Sequence, residues 1–431
     1  MNRERTAMKG FDNVDPAGDV MRIKYASTMG ARNRSLLYAA AFARSVGVGM
    51  SGVLVGLYAA ELGLGASGVG AVVSVGLLGV ALGTLGVTLL AERLGRVRCL
   101  VALTFVSALG TAGFALANAS WILAPAAALG MVNGMGRDRG AAFSLEQAIL
   151  PETADVRDRT KVFAWYNVVL DLGHALGALA GLLPALLRGG GMDALTSYRA
   201  GFLCVAGLSL VGALAYIGLT SAPMSGAKAP GLPLEPVGPE SKRRIAKLAG
   251  LFAMDSVGGG FLTGALISYW FFRRFGVDEA TLAPLFLLAR IANSASHLAA
   301  AWLARRIGLL RTMVFTHVPS SLLLLTVPVA PTFIVAGALF LLRECLVEMD
   351  VPTRQSYVVA VVAPHERAAA AGATNLVRTA GWAVAPIFAG AAMEGIALWF
   401  PLAAGAALKI GYDFLLYRAF RRIKPPEESG R

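Results

Sequence analysis

Leu90-Ala91-Glu92-Arg93-Leu94-Gly95-Arg96-Val97-Arg98 returns 213 positions later as Leu303-Ala304-Arg305-Arg306-Ile307-Gly308-Leu309-Leu310-Arg311, with five of nine positions identical. Each copy is a basic turn holding one glycine between two long apolar runs. A unit that recurs at this distance means that the chain is built twice over. Two further marks keep the phase. Pro151 and Pro364 close apolar runs at the same offset, and Gly173–Gly181 parallels Gly381–Gly390 at an offset of 208. A five-residue insertion near Asp155–Arg159 reconciles the two offsets.

The runs around these marks are long enough for lipid. Hydrophobic residues make up 56% of the chain and charged residues 15%, against roughly 25% charged in a soluble domain. The 50 glycines fit closely approaching membrane helices. A bilayer core of roughly 30 Å needs about 20 apolar residues per helix. On that measure spans fall at 37–59, 67–90, 99–117, 121–149, 163–187 and 199–219, then at 247–271, 282–304, 313–329, 332–361, 369–393 and 396–417. The expected fold is an all-α membrane protein of twelve transmembrane helices in two pseudo-symmetric six-helix bundles. Its expected parts are an N-terminal tail over 1–34, a first bundle over 35–221, a Pro/Gly/Ser-rich linker over 222–246, a second bundle over 247–420 and a tail over 421–431. No cleavable signal peptide is expected, because the first apolar run is long enough to span.

Charge placement sets the expected orientation. With both tails inside, 27 of the 39 Lys and Arg fall on cytoplasmic segments and four on outside loops. This bias is the positive-inside pattern of an even-span protein of a bacterial inner membrane. The net charge of +13 therefore reflects topology, since a nucleic-acid binder would gather its cations on a soluble face. Cys99, Cys204 and Cys345 lie far apart and form neither a disulfide framework nor a zinc site. The sequence has no HExxH, Walker-type or GxSxG motif. Catalysis, a cofactor and a metal are accordingly not expected, and uphill work would have to draw on an ion gradient.

The turn that opens this reading resembles the loop signature of the major facilitator superfamily, Gly-x-Leu-Ala-Asp-Arg-x-Gly-Arg-Arg/Lys. Here Thr88 stands for the leading Gly and Glu92 for the Asp. The resemblance implies that Glu92, Arg93, Gly95 and Arg96 form a cytoplasmic gate; the second copy has Arg305 at the acid position. The glycine run of span five is similar to the family's antiporter signature, with Ala178 in place of its Pro; Pro386 has it in span eleven. Ordinary packing of small residues is the alternative for that run. Asp350-Val351-Pro352-Thr353-Arg354-Gln355 resembles the tenth helix of efflux members. The resemblance covers residues 35 to 420. It implies that helices one, four, seven and ten line a central cavity, while three, six, nine and twelve face lipid.

The ionisable residues inside spans follow that division. Each costs roughly 2.5–3.5 kcal/mol or more, so each needs a partner, water or a task. Span one carries Arg44, span four Arg137, Asp138, Arg139 and Glu146, span seven Asp255, and span ten Arg343, Glu344, Glu348, Asp350 and Arg354. Spans five, eight and eleven add Asp171, His174, Arg290, His297, Arg378 and Glu394. Spans three and six have none, and span nine has only His317. Lys409 and Asp413 in span twelve are i,i+4 and are expected to pair with each other. Asp350 and Arg354 share that spacing and read either as a fixed salt bridge or as a gate. Arg139 and Glu146 are expected on one helical face, as are Arg290, Asn293 and His297. Asp138, Glu344 and Glu348 are the acids best placed to titrate as a cavity turns from wet to dry.

The function expected is secondary active transport by alternating access, as proton-coupled export of a small organic compound by a monomer. Two alternatives stay open. One is uptake of a small anionic metabolite, encouraged by Arg44, Arg137, Arg139, Arg290 and Arg343. The other is a non-transporting membrane sensor or assembly protein.

Overall fold

The computed structural model describes residues 16–137, 140–154, 159–219, 238–360, 362 and 366–422. The first half runs through α1 (Pro16–Glu61), α2 (Ala66–Leu94), α3 (Arg96–Leu116), α4 (Ser120–Gly130), α5 (Ala141–Ile149), α6 (Arg159–Ala180), α7 (Leu183–Gly189) and α8 (Ala194–Ile217). The second comprises α9 (Pro239–Gly260), α10 (Gly264–Phe275), α11 (Glu279–Ile307), α12 (Leu309–Thr326), α13 (Phe333–Val347), α14 (Asp350–Ala360), α15 (Arg367–Gly395) and α16 (Phe400–Phe420). Spans four, five, seven and ten are each two helices joined by a break. Eight helical stretches among the described residues are long and apolar enough to cross a bilayer. The remaining four spans are the two broken ones, α4–α5 and α13–α14, and the charge-bearing α11 and α16. The resulting molecule is an all-helical bundle of two matching halves.

Several boundaries move from their sequence expectation. The helix of span one begins at Pro16, inside the expected tail. α9 begins at Pro239, so residues 239–246 are helix and not linker; Pro at the first turn and Glu240 beside the N-terminus favour that start. Span four is not the continuous helix that 121–149 suggested. Met131 adopts left-handed φ 49° and Gly136 φ 71°, which ends α4. Asn133 then takes over backbone bonding, with Nδ2 donating to Arg137 O at 2.7 Å and Oδ1 accepting from Met135 N–H at 2.9 Å. Arg137 therefore sits on unwound chain. Asp138 and Arg139 lie outside the described residues, as does Pro364.

The repeat is visible in the packing. α1 packs on α6 and α8 as α9 packs on α15 and α16, and α3 meets α4 and α8 as α12 meets α13 and α16. Gly95 (φ 91°) and Gly308 (φ 90°) turn α2 into α3 and α11 into α12 in the same way. Between the halves α2 lies on α15 and α11 on α6, two contacts that a twofold axis would exchange, and α1 meets α10 across that axis. α3 and α8 turn Phe105, Leu109, Leu210, Val211 and Leu214 outward, the apolar surface that lipid rather than water covers.

The core is shared at one end of the bundle and divided at the other. At the end away from both termini, one apolar cluster joins Tyr58, Phe114 and Phe202 of the first half to Trp270, Phe271 and Phe340 of the second. At the end carrying the termini each half has its own cluster, around Leu37, Leu145 and Tyr216 in one and Leu248, Tyr357 and Leu416 in the other. The halves thus meet across the far side and keep separate cores on the terminal side.

Candidate functional site

Between the halves, at mid-depth, lies a cavity with an empty volume of about 1270 Å³ including the part open to solvent. Leu77, Asn133, Met135 and Arg137 contribute from the first half, and α9 to α16 from the second, with His317 the contribution of α12. Nine sequence candidates line it: Arg137, Asp255, Arg290, Arg343, Glu344, Glu348, Asp350, Arg354 and Arg378. Arg44 lines a smaller cavity within the first half, of about 660 Å³. Asp171 and His174 are absent from both walls among the described residues. His174 is buried, and its backbone carbonyl sits where a side chain at Gly49 would go. The glycine run of span five serves this approach too: a Cβ at Gly177 would strike the Val46 carbonyl of α1. The run packs α6 onto α1.

The buried charges sort into three groups. In the first half Glu146 is fully buried and receives Arg44 through both guanidinium nitrogens, at 2.9 and 2.5 Å. The hydroxyls of Tyr166 and Tyr216 donate to the same carboxylate at 2.6 and 2.5 Å. The second half repeats this link between its first and fourth spans with the signs exchanged. Arg354 of α14 donates to Asp255 of α9 at 2.7 Å and pairs with Asp350 at 2.9 Å. Lys409 donates to Asp255 at 2.9 Å. Lys409 and Asp413 do not pair with each other, contrary to the sequence expectation, because α9 and α12 offer each a buried partner. Asp413 instead meets His317 at 2.9 Å.

The third group crosses the cavity. Arg137 of the first half forms an ion pair with Glu348 of the second, and His297 stands 3.7 Å from the same carboxylate. Glu348 occupies the break between α13 and α14, so it too lies off the regular helix. Glu344 is held by Arg343 and by Asn293, whose Nδ2 donates at 2.8 Å. Arg290 is different. Its guanidinium lies beside Gly136, and among the described residues it makes no hydrogen bond or ion pair.

Two ties close the far side, the first of them between residues that spacing alone does not single out. Glu279, at the start of α11, is fully buried, pairs with Arg188 of α7 and accepts from Tyr198 at 2.8 Å. Both charges lie next to loops, where a charge reads as solvated. The second tie is Glu394, which accepts the Ser67 N–H at 3.0 Å. Glu279→Gln removes the charge and keeps the shape. A hydrogen bond to a charged group is worth roughly 1.5–3 kcal/mol, so far-side opening should become about tenfold or more easier. Hydrogen exchange over 190–200 and 276–282 reads this directly; unchanged exchange would mean that the tie does not hold the halves.

On the terminal side, Gly95 makes the tight turn and Arg96 donates to Glu152 Oε1 at 2.7 Å, clasping the end of span four. Arg93 is exposed, and the side chain of Glu92 lies outside the described set.

Comparison with known proteins agrees with this architecture. The family model of the Major Facilitator Superfamily matches residues 37–386. The uncharacterized membrane protein YJR124C of Saccharomyces cerevisiae is 24% identical over 418 residues, which is 90% of this chain and 93% of that protein. The nucleoside transporter NupG superposes with a TM-score of 0.70 at 15% identity, covering 90% of this chain and 99% of its own. A D-xylose-proton symporter does so with 0.66 at 15%, covering 96% and 99%. A bacterial homolog of the lysosomal transporter Spinster gives 0.69 at 15%, covering 90% and 97%. With a family model matched across most of its length, two repeated six-span halves and a cavity between them, the chain belongs to the Major Facilitator Superfamily.

Proposed function

We propose that the chain is a proton-coupled secondary transporter that moves a small organic compound through the central cavity by alternating access, acting as a monomer. The observation that carries this reading is the divided core. Halves that share one apolar cluster on the far side and keep separate clusters on the terminal side are arranged to rock about the cavity between them. The Lys and Arg bias supports both termini in the cytoplasm, so the described state is closed to the outside; the membrane we propose is a bacterial inner membrane. Arg137–Glu348 spans the cavity, and a cargo or proton that competes for Glu348 would release one half from the other. Export is the direction favoured by the span-ten sequence. Uptake of a small anion is the second reading, favoured by Arg290, a cavity cation that makes no ion pair among the described residues.

Proteoliposomes under an imposed pH gradient, run against nucleosides, sugars, organic anions and a drug panel, test this. Proton-driven accumulation of at least one compound is expected. Glu348→Gln should abolish accumulation while leaving exchange of the same compound across the membrane. Absence of proton-driven flux for every compound, under either sign of the gradient, would contradict the reading.

A further inference from the structure

At the back of the cavity in the second half, α9, α12, α14 and α16 hold six ionisable side chains in one hydrogen-bonded chain, five on the wall itself and Asp413 behind it. Asp255, His317, Asp350, Arg354, Lys409 and Asp413 are each no more than 7% exposed. The links run in order. Asp350 and Asp255 flank Arg354, Asp255 accepts from Lys409, Lys409 Nζ lies 3.3 Å from His317 Nε2, and His317 Nδ1 lies 2.9 Å from Asp413 Oδ2. An ammonium has only donors, so Nε2 accepts from Lys409 and Nδ1 carries the hydrogen donated to Asp413.

This arrangement leaves one group without a countercharge. Asp255 and Asp350 each meet a cation, and so do Glu344 and Glu348 across the cavity. Asp413 is fully buried, and its sole partner among the described residues is the imidazole. A buried carboxylate facing a neutral ring pays several kcal/mol of desolvation with no charge to offset it. One added proton, on the ring or on the carboxyl, removes that cost. The other groups facing the ring do not supply it. From α16 come Lys409, already engaged by Asp255, and Tyr412, edge-on at 6.1 Å with its buried hydroxyl making no hydrogen bond among the described residues. From α9 comes Asp255 at 4.0 Å, with Arg354 and Asp350 of α14 beyond it. Arg378 of α15 stands over Trp382 on the cavity side. Among the described residues α11 and α13 put no charged group within 4 Å of the ring.

We propose that His317 and Asp413 form a proton-binding site set behind the transport cavity, whose occupancy governs the grip of Lys409 on Asp255. His317 and Lys409 both reach the cavity wall, which gives protons access, while Asp413 lies sealed behind them. A proton on Nε2 ends the Lys409 hydrogen bond and drives the ammonium toward Asp255. Loss of that proton lets Lys409 divide itself between the two. Asp255 also holds Arg354, so the site speaks to the contact between α9 and α14, the first and fourth spans of this half. The inference rests on the proton-coupled reading and adds a second proton site to Glu348 of the cavity.

The chain has four histidines, so nitrogen-15 labelling of histidine in the full-length protein in lipid nanodiscs gives four assignable rings, with protons as the only ligand. At neutral pH the expected result is an extra proton on the pair. It would appear either as an imidazolium pattern that vanishes in His317→Gln, or as an infrared carboxylic-acid band that vanishes in Asp413→Asn. Unchanged signals from His174 and His297 in each variant show that the fold survives. A neutral Nδ1–H ring beside an ionised Asp413, at every pH where the protein is folded, would overturn the proposal. These spectra require no cargo and so decide the proton site separately from proteoliposome flux, which decides coupling.

Discussion

Glu146→Ala is expected to destabilise the first half by about 3–5 kcal/mol, the range for breaking a buried ion pair by removing one partner. Glu146 is wholly enclosed and anchors Arg44, Tyr166 and Tyr216, from three different helices. Its loss removes the countercharge of the Arg44 guanidinium, which keeps only a neutral contact at the Tyr216 hydroxyl, 2.8 Å away. The double variant Arg44→Met, Glu146→Leu should recover much of the loss, because it removes the stranded charge together with its partner. Thermal unfolding in detergent distinguishes the cases. A Glu146→Ala protein that melts like the parent would mean that water reaches Arg44, and that the pair does not organise the half.

Gly70→Trp is expected to force the far side open. A Cβ at Gly70 would collide with the Pro386 carbonyl of α15, and one at Gly390 with the Ala66 carbonyl of α2. The two glycines let α2 and α15 touch backbone to backbone, with Ser74 Oγ accepting the Ile387 N–H at 2.9 Å further along. Overpacking such a contact costs roughly 1–3 kcal/mol, enough to shift a two-state equilibrium about five- to 150-fold. Gly70→Ala should move it less, in the same direction. The change belongs to the closed state, so the open form gains population, and the melting temperature falls by no more than the gap between closed and open forms allows.

Much of this architecture was legible because lipid imposes it. Apolar runs, the basic turns at Gly95 and Gly308 and the charge-free spans three and six all follow from the bilayer as solvent, and periodicity records them. The cavity wall was partly legible for the same reason: an ion such as Asp255 or Glu344 inside an apolar run is costly enough to stand out. Partner choice was not. Lys409 and Asp413 look like an i,i+4 pair on one helix, but sequence spacing says nothing of Asp255 and His317 arriving from α9 and α12. The breaks were hidden as well. Met131 in the left-handed region and Glu348 at the junction of α13 and α14 depend on tertiary contacts, so continuous helices were expected at both places. Glu279 was invisible because a carboxylate at a helix start beside a loop is ordinarily wet.

Pulsed electron spin resonance distances, taken with and without Gly70→Trp, test the rocking of two halves most directly. With Cys99, Cys204 and Cys345 replaced by alanine, one label pair would sit at Glu61→Cys and Ile396→Cys on the far side. The other would sit at Leu94→Cys and Arg305→Cys on the terminal side; all four positions are exposed. Gly70→Trp should lengthen the first distance and shorten the second in the same molecules. A far-side distance that lengthens while the terminal-side distance stays fixed would contradict rocking of the two halves.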